Sequence, residues 1–432
     1  MNGAGAPLAR SHARDLPRLL SSRLPFFYGW VVLGCLCCAG FARQGGAVAT
    51  LSVFVEPLTR QFGWSRTALS GAVSLGGVLA ALSAPLIGPL VDRHGSRAAL
   101  SLAVLGTGAA LLLLSLTGSL PVFYLLFCIA RMNWAGPFDL GIYSALNNWF
   151  VTRRAAATSI ATVAQMAGLV AMPLIAELAM HHHGWRAGWL AIGASVIVIG
   201  LLPVWLLLVR RPEDLGLEPD RRVLPSPNPG GAAAPAQPNF TRRQAVRTGA
   251  FWLLLFYTVL VYPVQAGVSL HQAANLVEHG VSATAAASIV SLFSLMSGVA
   301  SAGCGLLPRA LPIKYPMMTT GALLAAGTIL MIGISSTAQG AVAGAVFGLG
   351  IGGVLTLLPI AWAEYFGRTS YGAIRGVVLL AQVLAQAAGP LLSGVLRDWT
   401  GSYTLPLECF AALSLLSIAA AFLARRPRLA PG

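Results

Sequence analysis

Residues 121–149 read PVFYLLFCIARMNWAGPFDLGIYSALNNW, a run long and apolar enough to cross a bilayer that nonetheless holds Arg131, Asn133 and Asp139 inside the crossing. A helix rises about 1.5 Å per residue, so roughly 20 apolar residues span the ~30 Å hydrocarbon layer. Arg131 then falls near the bilayer midplane, with Asp139 about two turns closer to the far side. Charges at that depth are costly and face a polar pathway or a partner charge. The stretch points to a route through the membrane.

The rest of the chain fits that setting. Apolar residues make up 56% of the 432 and charged ones only 9%, against roughly 25% charged in soluble domains. The formal net charge of +15 does not signal nucleic acid, because the arginines sit in short clusters between apolar runs and form no continuous basic face. All six cysteines fall within apolar runs and read as small packing residues. No phosphate-binding loop and no metal-ligand cluster appears, so neither an enzyme nor a cofactor is expected.

Twelve apolar runs can be drawn: 27–55, 67–91, 97–117, 121–149, 155–180, 188–209, 249–277, 283–308, 315–335, 339–366, 372–396 and 403–423. Continuous apolarity makes them helices, since closed barrels need alternating strands. Arginines gather on one side: Arg10 to Arg23, Arg93, Arg97, Arg153, Arg154, those from Arg210 to Arg247, Arg309, Arg368, Arg375 and Arg425 to Arg428, joined by Lys314. The other side holds Arg60, Arg66, Arg186 and Arg397. This bias places both termini in the cytoplasm. The expected organisation is a tail (1–26), a six-helix half (27–209), a disordered linker rich in Pro, Gly and Ala (210–248), a second six-helix half (249–424) and a tail (425–432).

The halves repeat one another at an offset of 217 residues. Gly63 and Gly88 recur as Gly280 and Gly305, Gln165 as Gln382, Pro173 as Pro390, and Gly184 as Gly401. Two homologous six-helix halves around a central cavity are the mark of a transporter that rocks about a central site.

The loop Gly88-Pro-Leu-Val-Asp92-Arg93-His-Gly95-Ser-Arg97 resembles the signature loop of the major facilitator superfamily. The stretch Trp149-Phe150-Val-Thr-Arg153-Arg154 through Ala161, with Tyr28-Gly29-Trp30, resembles the monocarboxylate-transporter-like branch, in which bacterial members are common. The resemblance implies a secondary transporter of a small organic anion, a monocarboxylate above all, by proton symport or anion exchange, acting as a monomer. It further implies that Gly88, Asp92, Arg93, Gly95, Arg97, Arg153 and Arg154 belong to a conformational gate at the cytoplasmic face. The branch's aspartate and arginine of the eighth span are replaced here by Ser297 and Ser301, so the usual anion anchor is missing.

Arg43 and Arg131, in the middle of the first and fourth spans, offer another source of positive charge. In the architecture that the resemblance implies, these spans line the cavity with the seventh and tenth. Two guanidinium groups suit a carboxylate because each can donate two parallel hydrogen bonds. Arg43 and Arg131, with Asn133, Tyr262 and Gln265, are therefore the expected substrate contacts. Permanent pairing of either arginine with Asp139 is the structural alternative. Asp139 and His271 are the groups that could carry a proton. Gly340, Gly344, Gly348 and Gly352 make a small-residue face for close packing of the tenth span. Multidrug or cation efflux on the same fold, and a sensor that binds a carboxylate without moving it, are the competing functions.

Overall fold

The computed structural model describes residues 15–220, 239–306 and 311–427; Arg10, Arg14, Arg309, Arg428 and the middle of the expected linker lie outside them. Helix α1 (Asp15–Arg23) leads into the first span, which is broken: α2 (Gly29–Arg43) and α3 (Val48–Phe62) meet at a 3-10 turn over Gln44–Gly46. Then come α4 (Arg66–His94) and α5 (Ser96–Leu114). The fourth span is also broken, into α6 (Leu120–Ala135) and α7 (Pro137–Trp149). The fifth and sixth spans are two helices within α8 (Arg154–Ser195), separated by the non-helical Gly184 with φ 76°, and the second continues through a π-helical segment into α9 (Leu202–Leu207).

The second half follows α10 (Arg242–Val246) and comprises α11 (Gly249–Glu278), α12 (Ala283–Cys304), α13 (Lys314–Leu330), α14 (Thr337–Phe366), α15 (Tyr371–Thr400) and α16 (Thr404–Leu423). Among the described residues nine helical segments are long and apolar enough to cross a membrane. The three other expected spans are the broken fourth and the shorter α12 and α13, so twelve crossings remain consistent with the architecture.

The two breaks correct the expectation of continuous helices, and each has a local cause. Gly45 and Gly46 disfavour helix, and Gly136 precedes Pro137, which has no N–H to continue the α-helical ladder. Such breaks are tolerated at membrane depth only where protein satisfies the freed backbone. Thr50 Oγ1 donates to the Gln44 carbonyl at 2.7 Å, which meets part of that demand.

Each half has its own core. One buried apolar cluster draws on residues from Tyr28 to Leu208; the other runs from Phe240 to Ala424 and adds Tyr143 of α7. The described ends of the expected linker are ordered: Pro212–Leu215 forms a 3-10 turn, and α10 begins with a capping box from Thr241 and Gln244. Residues 221–238 lie outside the described set.

The glycine face of α14 packs on α12. A Cβ at Gly352 would come within 2.0 Å of the Ser297 carbonyl oxygen, and one at Gly348 within 2.3 Å of that of Phe293. Ser301, also on α12, bonds Thr356 of α14 through its hydroxyl. The eighth-span positions that lack the usual ion pair thus serve helix packing. Gly352→Leu is expected to force these helices apart at a cost of about 1–3 kcal/mol, read as a lower apparent melting temperature of the purified protein than that of Ala345→Leu on the same helix.

Candidate functional site

The helix breaks carry the charges. Arg43 is the last residue of α2 and Asp139 lies in the first turn of α7. A cation at a helix C-terminus and an anion at an N-terminus are each favoured by the local backbone dipole. Arg43 Nη1 lies 3.4 Å from Asp139 Oδ1 and donates to Gln165 Oε1 at 2.9 Å. Gln165 Nε2 is 3.4 Å from the Tyr143 hydroxyl.

The second half supplies the matching arm. Arg375 Nη2 sits 3.3 Å from Asp139 Oδ2 and 3.2 Å from Gln382 Oε1. Asp139 therefore bridges two arginines from opposite halves, one on each oxygen. Gln165 and Gln382, equivalent by the internal repeat, each accept from one of them. Arg375, counted from the sequence only among the arginines of the cytoplasmic side, is 2% exposed and turned into the protein. The repeat held the missed signal: Arg375 lies two helical turns before Gln382, on the same helix face.

Arg131 approaches the cluster through Trp134. Its guanidinium carbon is 4.0 Å from the indole centroid and that of Arg43 is 4.5 Å away, both within cation–π range. The Trp134 indole N–H donates to Gln44 Oε1 at 3.1 Å. Gly76 of α4 leaves room for the arginine, since a Cβ there would come 2.6 Å from that of Arg131. Tyr262 is buried within electrostatic range of Arg375 and Asp139.

Three expected site residues point elsewhere. Asn133 Nδ2 donates to Thr107 Oγ1 at 3.3 Å, tying α6 to α5. Gln265 Oε1 accepts from Gln386 Nε2 at 3.1 Å. His271 Nδ1 is 3.3 Å from the Tyr403 hydroxyl, in a small pocket with Gln272, Asn275 and Phe410, and takes no part in the arginine cluster.

The expected gate residues occupy the arginine-rich face. Asp92 accepts from the backbone N–H groups of Gly372 at 2.9 Å and Ala373 at 2.7 Å, so a carboxylate of one half caps the first turn of α15 in the other. Gly88 permits this approach: a Cβ there would lie 2.1 Å from the Gly372 carbonyl oxygen. Gly95, at φ 87°, ends α4, and Arg93 is exposed. The Arg97 guanidinium lies over Trp205 at 5.4 Å and that of Arg153 over Trp30 at 5.8 Å. Buried Arg154 donates from Nε to the Phe150 carbonyl at 3.2 Å.

Two contacts on this face were not anticipated. Asp220 accepts from the backbone N–H groups of Val151, Thr152 and Arg153 ahead of α8. Arg368 donates to the Asn148 carbonyl at 2.9 Å and pairs with Glu213, fastening the second half to the first and to the linker.

Removing one member of a buried ion pair costs about 3–5 kcal/mol because the partner charge is left behind. Asp139→Asn is thus expected to lower the thermal midpoint of the purified protein. Arg375→Gln added to it should cost less than the two single effects combined, with a coupling of about 1–3 kcal/mol; additive losses would deny the cross-half pair. A second test uses pH. Burial acts to raise the Glu213 carboxyl, but the hydrogen bond and charge of Arg368, a backbone N–H and the charge of Arg211 together outweigh this and hold it below its ordinary value near 4.5. A depressed carboxylate stabilises in its ionised form, so the Arg368 tie is full at neutral pH and fades as pH falls below that value. Acid-induced loss of melting temperature is expected to be smaller in Glu213→Gln.

Comparisons with known proteins agree with this architecture. The crystal structure of the human organic anion transporter MFSD10 (TETRAN) superposes with a TM-score of 0.68 over 91% of this chain and 99% of that one, at 16% identity. The proton:xylose symporter XylE also gives 0.68, over 92% and 96%, at 12% identity. In sequence, the chain is 27% identical to the membrane sensor protein UhpC of Escherichia coli K12, covering 79% of this chain and 80% of that protein. It is 26% identical to human monocarboxylate transporter 11, covering 87% and 79%. Residues 32–307 match the Major Facilitator Superfamily, and with two helical halves joined through buried charges at their interface, the chain belongs to that superfamily.

Proposed function

We propose that this protein is a secondary active transporter of small organic anions that works by alternating access, in a bacterial inner membrane with both termini cytoplasmic. The observation that carries the reading is a pair of arginines from opposite halves, Arg43 and Arg375, on one carboxylate, Asp139, with a third, Arg131, sharing the Trp134 ring with Arg43. A cationic drug would meet net positive charge there, which disfavours the efflux reading. A carboxylate-bearing solute meets guanidinium groups able to donate in pairs. The names of the monocarboxylate transporters, at 24–27% identity, make monocarboxylates the first class to assay.

Alternating access follows from where the halves are tied. Asp92 with the start of α15 and Arg368 with Asn148 close the arginine-rich face, while the Arg43–Asp139–Arg375 bridge links the halves at the site. Opening the closed face requires that Asp92 leave the N–H groups of α15. Proton uptake on Asp139 would weaken both of its ion pairs at once, which makes Asp139, and not the distant His271, the group through which proton symport would act. The UhpC name gives the sensor reading one specific support.

Uptake of radiolabelled carboxylates into proteoliposomes decides among these. Wild type is expected to accumulate at least one carboxylate, and Arg43→Gln or Arg375→Gln to reduce uptake by about tenfold or more, the scale of one charge-assisted hydrogen bond. Dependence on an imposed proton gradient identifies symport, and dependence on internal anion identifies exchange. Binding without uptake would favour a sensor, and uptake of cationic drugs alone would overturn the anion reading.

A further inference from the structure

The charges around Asp139 do not cancel. Arg43, Arg131 and Arg375 contribute three positive charges, and among the described residues Asp139 is the carboxylate paired with Arg43 and Arg375. Both of its oxygens are already engaged, one by each half. Among the described residues Arg131 pairs with no carboxylate, and its guanidinium rests on the Trp134 face. An indole face attracts a cation but does not neutralise it.

The unmet hydrogen-bonding capacity lies on the same three arginines. Among the described residues, Nε of Arg43 and Nε and Nη1 of both Arg131 and Arg375 are buried without a hydrogen-bond acceptor. Arg43 and Arg375 are 7% and 2% exposed. Buried N–H groups are rarely left unpaired, and buried charge is costly without a counter-charge. The excess is also divided between the halves. Arg43, Arg131 and Asp139 leave one positive charge on the first half, and Arg375 leaves another on the second.

From this balance we infer that the site is built for a small organic dianion, with one oxyanion end toward Arg131 and the other toward Arg375. The inference rests on the organic-anion reading and sharpens it, replacing the expected monocarboxylate with a dicarboxylate or a phosphate monoester. A monoanion neutralises the excess of only one half. A dianion neutralises both and removes the like-charge repulsion between them, so binding its two ends favours the halves coming together around it. The shared chemistry is two negative charges carried on oxygen, close enough for both to remain inside one cluster.

The test compares pairs of nearly isosteric ligands that differ by one charge. Succinate is set against its monomethyl ester, and glycerol 3-phosphate against its phosphate methyl ester. Each is titrated calorimetrically into the purified full-length protein in nanodiscs near neutral pH. In at least one pair the dianion is expected to bind tighter by about tenfold or more, as for one further hydrogen bond between charged groups. The pair that shows it distinguishes a dicarboxylate site from a phosphate-monoester site. Arg131→Gln should shrink that ratio toward unity, whereas Arg131→Lys, which keeps the charge, should preserve most of it. Monoanions binding as tightly as their dianionic counterparts would overturn the dianion inference and leave the organic-anion reading standing. Binding of none of the four, in a protein whose melting profile shows it to be folded, would overturn both.

Discussion

A carboxylate held between two arginines from opposite halves is the constraint on which the rest of the molecule depends. At an effective dielectric near 20, opposite unit charges about 4 Å apart attract by about 4 kcal/mol. Taking each ion out of water costs several kcal/mol, so the Arg43–Asp139–Arg375 bridge contributes little net stability. Its weight lies in what would follow from breaking it, because each arginine is buried and has few other acceptors. Such a contact can hold the halves together in one arrangement and release them when a proton or a competing anion changes the balance.

The backbone is shaped to put those charges there. Arg43 ends one helix and Asp139 begins another because glycines and a proline interrupt the first and fourth spans. The neighbouring helices come close enough to bury the breaks because small residues line their faces. Gly76 admits the stem of Arg131, and Gly88 lets α4 meet the carbonyl of Gly372. The arginine-rich face then closes through contacts of a different kind, a carboxylate on the N–H groups of a helix start. The two sets of contacts therefore differ in chemistry, ion pairs at the buried cluster and a carboxylate on backbone N–H groups at the arginine-rich face.

Much of the architecture was legible in the sequence, because membrane helices declare themselves through length and apolarity, and the repeat declares the two halves. The glycine stripe of α14 was legible too, as small residues every four positions can only make one face. The site was legible in part. Arg43, Arg131 and Asp139 stood out as charges within apolar runs. Arg375 did not, because it lies near the start of its span among arginines that a topology rule assigns to the membrane surface. Depth along the span could not reveal that its side chain turns inward toward Asp139; only the pairing with Gln382, set beside that of Arg43 with Gln165, carries that information. Asn133 and His271 show the limit of such a reading from the other side. A polar residue on a cavity-lining span has several faces to choose from, and theirs meet Thr107 and Tyr403.

The most direct measurement is an experimental structure of the full chain in nanodiscs with a bound organic anion. Density for the anion is expected within hydrogen-bonding distance of Arg131 and of Arg375, with Asp139 still between the halves. Density that touches none of Arg43, Arg131 and Arg375, with the three guanidinium groups paired to other side chains, would contradict the central claim that these arginines form the anion site.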